Sequence, residues 1–153
     1  MGLWLTLHLI GVLLMVGNIV TAAFWKIRAD LTGNPQVIHH AVKNVMSADY
    51  VFTIPGFILI VLSGGTMAGL SGFSLSGLNW LTLSLSLFAV TGLVWLAVLI
   101  PMQRKMIGYS ADCIESGTIS AQYRRASRIW AIYGTAATLL PLVILYLMVT
   151  KGF

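Results

Sequence analysis

The stretch Tyr50–Gln103, YVFTIPGFILIVLSGGTMAGLSGFSLSGLNWLTLSLSLFAVTGLVWLAVLIPMQ, carries no Asp, Glu, Lys or Arg in 54 residues. About 20 consecutive apolar residues cross the hydrocarbon core of a bilayer as a helix. The run therefore holds two crossings, Tyr50–Leu70 and Trp80–Met102, on either side of the Ser- and Gly-rich turn Ser71–Asn79. A turn this short makes the two helices antiparallel neighbours. Strands are excluded, because continuous apolar runs lack the alternation of a membrane barrel. Working outward, Leu3–Trp25 gives 23 residues without a formal charge, and Arg128–Thr150 supplies a fourth crossing. The first run lacks the basic start and short apolar core of a secretory signal, so it is expected to stay in the mature protein. The expected fold is all-α: a four-transmembrane-helix bundle formed by residues 1–153 as a single integral membrane domain, with two cytoplasmic amphipathic connecting helices.

Composition agrees. The chain is 58% hydrophobic and 8% charged, against about 25% charged in a soluble domain. So few charges cannot solvate a surface, and the net charge of +5 marks one side of a membrane rather than a nucleic-acid partner. The single cysteine, Cys113, has no disulfide partner in the chain, and no Cys/His pair has zinc spacing.

The basic residues set the orientation. Lys26, Arg28, Lys43, Arg104, Lys105, Arg124, Arg125 and Arg128 fall on or beside the first and third connections, against Lys151 alone at the other end. Positive charge stays in the cytoplasm, so both termini are expected outside, in a bacterial inner membrane. Trp4, Trp80 and Tyr146 then fall at the outer boundary, and Trp25, Tyr50 and Trp130 at the inner one, where amphipathic rings are favoured.

The first connection contains a helix start. Asn34 is placed to cap and Pro35 suits the first helical position. Val37, Ile38, Ala41, Val42, Val45 and Met46 then form an apolar face opposite Gln36, His40, Lys43, Asn44 and Ser47, the pattern of a helix lying on the inner membrane surface. Ser116-Gly117-Thr118, ahead of Ile119, Tyr123, Ala126 and Trp130, echoes it. The chain thus reads as two similarly oriented hairpins. Gly65 and Gly69 have the small-residue spacing of close helix contact in lipid, as do Gly134 and Thr138, while Pro55 and Pro141 are expected to kink their spans.

For chemistry, His8 is the one histidine within a span. Imidazole there ligates haem iron or passes protons; its plainer role is a hydrogen bond to a neighbour. His39 and His40 lie about 30 Å away across the bilayer and cannot share an iron with His8. A second axial ligand from the outer side would be Met67 or Met148, both also ordinary apolar fillers. The Asn18 amide needs a partner in lipid, with Thr21, Thr91 or Ser63 as the candidates, and serves helix packing unless it lines a polar cavity. Asp30, Asp49, Asp112 and Glu115 are expected outside the hydrocarbon, paired with neighbouring basic residues in solvent. No catalytic triad, carboxylate pair or nucleotide loop is present, and Gly64-Gly65 is not followed by the Lys-Ser/Thr of a phosphate loop.

The segments Leu7-His8-Leu9-Ile10-Gly11-Val12-Leu13-Leu14-Met15-Val16-Gly17-Asn18, Ala23-Phe24-Trp25-Lys26-Ile27-Arg28-Ala29-Asp30 and Phe52-Thr53-Ile54-Pro55-Gly56 resemble the bacterial membrane family called domain of unknown function 2269. That resemblance implies a small multi-span inner-membrane protein. More distantly, Leu7-His8-Leu9-Ile10-Gly11-Val12 resembles the first helix of HemJ-type protoporphyrinogen oxidases and CopD-like copper proteins. In the HemJ type this histidine is a haem-ligand candidate, which carries over to His8 alone. Seven residues on, where that pattern has Trp, this chain has Met15, so the resemblance does not extend to catalysis. Three roles follow: a redox-linked protein binding haem b through His8; an accessory subunit of a homo-oligomer or larger membrane complex; and a small oligomeric transporter, weakened by the lack of a charge within any span.

A cysteine placed at Leu75 is expected to react with a membrane-impermeant thiol reagent from outside; reaction only from the cytoplasmic side would invert the topology.

Overall fold

A computed structural model describes residues 1–72 and 75–151. Phe73 and Ser74, within the expected Ser71–Asn79 turn, lie outside the described residues. The described chain forms α1 (Gly2–Thr32), α2 (Pro35–Ala48), α3 (Ile54–Ser71), α4 (Trp80–Val94), α5 (Ile100–Ser116) and α6 (Ala121–Thr150). Two π turns, Asp49–Thr53 and Trp95–Leu99, join α2 to α3 and α4 to α5 without a break. The result is four long helices, each long and apolar enough to cross a membrane. Leu13, Leu31, Leu93 and Val149 are among many large apolar side chains facing outward. Water would not tolerate so much exposed apolar surface; lipid does.

Local chemistry explains the joints. α1 stops at Gly33, whose φ of 63° is the left-handed conformation that glycine adopts without steric penalty. The Asn34 side chain accepts from the Gln36 N–H and Pro35 opens α2, as the sequence leads one to expect. Gly117, at φ 70°, ends α5, and Ser120 caps α6. Each π turn is closed by an N–H donating five residues back, Ile54 to the Asp49 carbonyl and Ile100 to the Trp95 carbonyl. Each is followed, after one isoleucine, by a proline, Pro55 or Pro101. Proline has no N–H, and its ring collides with the carbonyl four residues before it. Widening that turn moves the carbonyl aside, so the helix passes the proline intact. Pro141 lies buried in α6 without ending it.

The expected connecting helix that begins at Pro35 is α2; it and α5 are not separate from the long helices. They extend the second and third long helices and pack on each other. Ile38, Val42 and Val45 of α2 meet Met106 and Cys113 of α5 and Tyr123, Ala126 and Trp130 of α6 in the main buried cluster. The core thus sits at the end that carries eight of the nine basic residues, called here the basic end. Ile119–Trp130, expected as a second surface helix, runs into α6 instead. The polar segment follows the turn in the first hairpin and precedes it in the second. The hairpins therefore do not correspond as parallel copies.

At the opposite end α1 packs on α3 and α4 on α6, with α3 and α4 meeting through the stacked rings of Phe57 and Phe88, 4.8 Å apart. The tight contact is between Gly11 and Gly56: a Cβ on either would come within 2.8 Å of the other's carbonyl oxygen. Gly65 and Gly69, expected to make such a contact, are exposed, and a Cβ there would meet nothing within 4 Å. The four-residue motif fixed the spacing but not the face.

Gly11→Ala and Gly56→Ala are each expected to lower the melting temperature in detergent, by a loss of about 1–3 kcal/mol from overpacking. Gly65→Ala and Gly69→Ala should leave it unchanged or slightly raised, since alanine favours helix. Unchanged stability in the first pair would remove the Gly11–Gly56 contact as a determinant of the fold.

Candidate functional site

Three sets of polar side chains tie the helices together. Near the terminal end, His8 Nδ1 lies 3.1 Å from Ser63 Oγ. The Ser63 hydroxyl also donates to the Leu59 carbonyl, which leaves its oxygen to accept from the ring N–H. Gly64 faces the same ring, where a Cβ would stand 3.1 Å from Cε1. Nδ1 is thereby committed, and Nε2 is left as the nitrogen available for another partner. Met67 is one turn beyond Ser63 on the same face of α3, whereas Met148 lies on α6, whose partner at this end is α4. The His8 ring meets α3 at Ser63 and Gly64, and one turn below, Gly11 and Gly56 bring the two backbones together. A porphyrin between His8 and Met67 would have to part this contact. The donor set does not fit a haem held between α1 and α3 by both residues.

At the basic end, Lys26 is 1% exposed. Its Nζ pairs with Asp30 Oδ2 at 2.6 Å and also donates to Ser127. Tyr123 donates to Asp30 Oδ1 at 2.6 Å, and Ser127 to Asp30 Oδ2 at 2.9 Å. The Trp130 and Tyr123 rings lie 5.2 and 5.7 Å from the ammonium. Every charge here is matched, so this set clamps α1 to α6. His39 Nδ1, 2.8 Å from Ser110 Oγ, joins α2 to α5 in the same way. His40 is exposed.

The third set differs. Asp49, expected in solvent beside basic residues, is 5% exposed. Asn18 Nδ2 donates to its Oδ1 at 3.0 Å and Thr53 Oγ1 at 2.7 Å. Gln103 Nε2 donates to Oδ2 at 2.8 Å, with Trp95 Nε1 at 3.4 Å. The antiparallel packing of α1 on α3 puts Asp49 level with Asn18, about 10 Å deeper than Trp25 along α1. Asp49 is therefore buried between helices at the level of Gln103, where the uncharged run Tyr50–Gln103 begins and ends. The partners of Asn18 are Asp49 and Thr53 rather than Thr21, Thr91 or Ser63 side chains.

Beside Asp49 is a cavity of about 90 Å³, bordered by Trp95, Gln103, Trp130, Gly134 and Thr138. Gln103 must turn its amide nitrogen to the carboxylate, which sends Oε1 the other way. That oxygen and Trp130 Nε1 are buried without a hydrogen-bond partner. Such atoms cost about 1–3 kcal/mol each unless something fills the space. Asp49 receives only neutral donors, and the one ion pair among the described residues is Lys26–Asp30. The site is thus a buried carboxylate with neutral donors only, beside a small cavity that Ile19, Ala22, Ala23, Ile27 and Leu99 also line. Among the described residues, no group of three His, Cys, Asp or Glu side chains gathers here or elsewhere, so the donors on offer are oxygens suited to hard cations.

Sequence reading missed this centre because Asp49 abuts an apolar run and has Lys43 nearby. The signal that could have found it is Asp49-x3-Thr53-x-Pro55, a polar pair one turn apart just before a proline inside a span.

A family model described as a predicted integral membrane protein, DUF2269, matches residues 3–152. No curated protein and no solved structure matches the chain.

Proposed function

We start from the fact that the chain belongs to the DUF2269 family of predicted integral membrane proteins, and we propose that it binds a hydrated monovalent cation within the membrane, beside Asp49. The observation that carries this reading is the buried carboxylate held by neutral donors beside a cavity, with two polar atoms of the residues that line it, Gln103 Oε1 and Trp130 Nε1, buried without a partner. A lone charge in low dielectric is costly until a counter-charge joins it. A cation meets the Asp49 carboxylate and Gln103 Oε1. An accompanying water accepts from Trp130 Nε1, the one donor there that a bare cation cannot satisfy. The Thr138 hydroxyl, whose hydrogen goes to the Gly134 carbonyl, keeps lone pairs for the same hydration shell. A volume of about 90 Å³ exceeds the roughly 10–15 Å³ of accessible space that one water needs. With no nucleophile and base side by side, the site suits cation-linked transport or coupling rather than bond-making catalysis. This favours the transporter reading, by way of a carboxylate buried between the helices.

The second reading is haem b bound by His8 alone. Its support is the committed Nδ1, since a hydrogen bond at one ring nitrogen orients the other as a ligand. Bound haem would supply one-electron chemistry near the terminal end; Ser63 would fix the tautomer of His8, and Gly64 would leave room for the ring.

In detergent, sodium or potassium chloride is expected to raise the melting temperature above that in choline chloride at equal ionic strength. Saturation at a hundredfold excess over Kd corresponds to about 2.7 kcal/mol, and Asp49→Asn should abolish the difference. Equal melting temperatures in all three salts, or an alkali effect that persists in Asp49→Asn, would remove the cation site. For haem, a Soret band in protein expressed with haem supplied, lost in His8→Ala and kept in His39→Ala and His40→Ala, is the expected result. No band in the parent, or an unchanged one in His8→Ala, ends that reading.

A further inference from the structure

A groove of about 600 Å³ runs between α1 and α2 on the outer side of the bundle. It exists because α2 turns Ile38 and Val42 toward α5 and α6, and because four of the residues that line it are alanines: Ala22 and Ala29 on one side, Ala41 and Ala48 on the other. From Asn18 to Thr32, the α1 residues that line it, the groove extends about 21 Å. That exceeds the ~15 Å depth of one hydrocarbon leaflet. Its lining is apolar over most of its length and ends in polar groups, with Arg28 and His40 at the basic end. Trp25, 66% exposed, stands one turn before Arg28, at the depth where indole rings mark the headgroup boundary.

We propose that this groove is a binding site for one anionic phospholipid, with an acyl chain along the alanine walls and the phosphate at Arg28 and His40. Charge selects the occupant. The basic end carries eight basic against four acidic side chains, and Arg28 forms no ion pair among the described residues. A guanidinium binds phosphate through paired N–H donors. A zwitterionic lipid offers the same phosphate but brings its own ammonium into a field that is already positive. Apolar lining suits an acyl chain and offers nothing to a free phosphate ion. The site is independent of the cation reading, although Asn18 borders the groove while its amide donates to Asp49.

The test is native mass spectrometry of the purified full chain offered equal amounts of phosphatidylglycerol and phosphatidylcholine. One phosphatidylglycerol should be retained in preference, by about tenfold, which is 1.4 kcal/mol. Arg28→Gln should remove the preference, and Ala41→Leu, which fills the groove, should reduce retention of both lipids. Arg124→Gln, exposed on α6 and outside the groove, should behave as the parent. Excess inorganic phosphate should not displace the lipid. Equal retention of the two lipids by the parent, an unaltered preference in Arg28→Gln, unaltered retention in Ala41→Leu, or displacement by inorganic phosphate would each overturn the proposal.

Discussion

A carboxyl group buried inside a helical membrane bundle has to find its hydrogen-bond partners in the protein itself, because lipid offers none. At Asp49 that constraint draws together four parts of the chain. α1 brings Asn18, the first π turn brings Thr53, the second brings Trp95, and α5 brings Gln103. Loss of any one would leave a lone pair without a donor in low dielectric. The constraint thus fixes how the first hairpin meets the second at this depth, where apolar packing alone would allow several registers.

The π turns belong to the same solution. Each lies just before a proline and lets a long helix continue without colliding with its own carbonyl. Each also shifts the side-chain register on one side of the joint. In α2 the buried face is Ile38, Val42 and Val45, set by contact with α5 and α6. Beyond the first joint the contact is with α1, through Gly56 and Ser63. One regular helix would have to present both faces with a single period. The inserted residue lets the polar end pack as a water-facing bundle packs while the apolar end packs as a membrane pair does.

Much of this was legible in the sequence, and the reasons separate what was from what was not. The four crossings follow from length and charge spacing, and the Asn34–Pro35 start from a local cap. Such features depend on a few neighbouring residues and survive any tertiary arrangement. The Gly11–Gly56 contact pairs two glycines 45 positions apart, whereas Gly65 and Gly69 form the familiar four-residue spacing and face outward. A spacing rule says that a helix has a small-residue face; only the partner helix decides which face is used. Asp49 failed for a related reason. Its charge was weighed against neighbours in sequence, but its donors come from residues 31 positions before and 46 and 54 after it.

The contrast between Asp30 and Asp49 is what separates scaffold from candidate site. Both are carboxylates near the basic end, and both accept hydrogen bonds from other helices. Asp30 has Lys26 one turn away on its own helix, and the pair closes on itself with Tyr123 and Ser127. Its charge is cancelled within the chain, so nothing remains for a ligand to supply. Asp49 has no such cation, and the amide that donates to it leaves its own oxygen buried without a partner. A satisfied network holds helices together whether or not anything binds. The set around Asp49 leaves an indole N–H and an amide oxygen without partners, and that difference from the closed Asp30 set is the physical ground for the cation proposal.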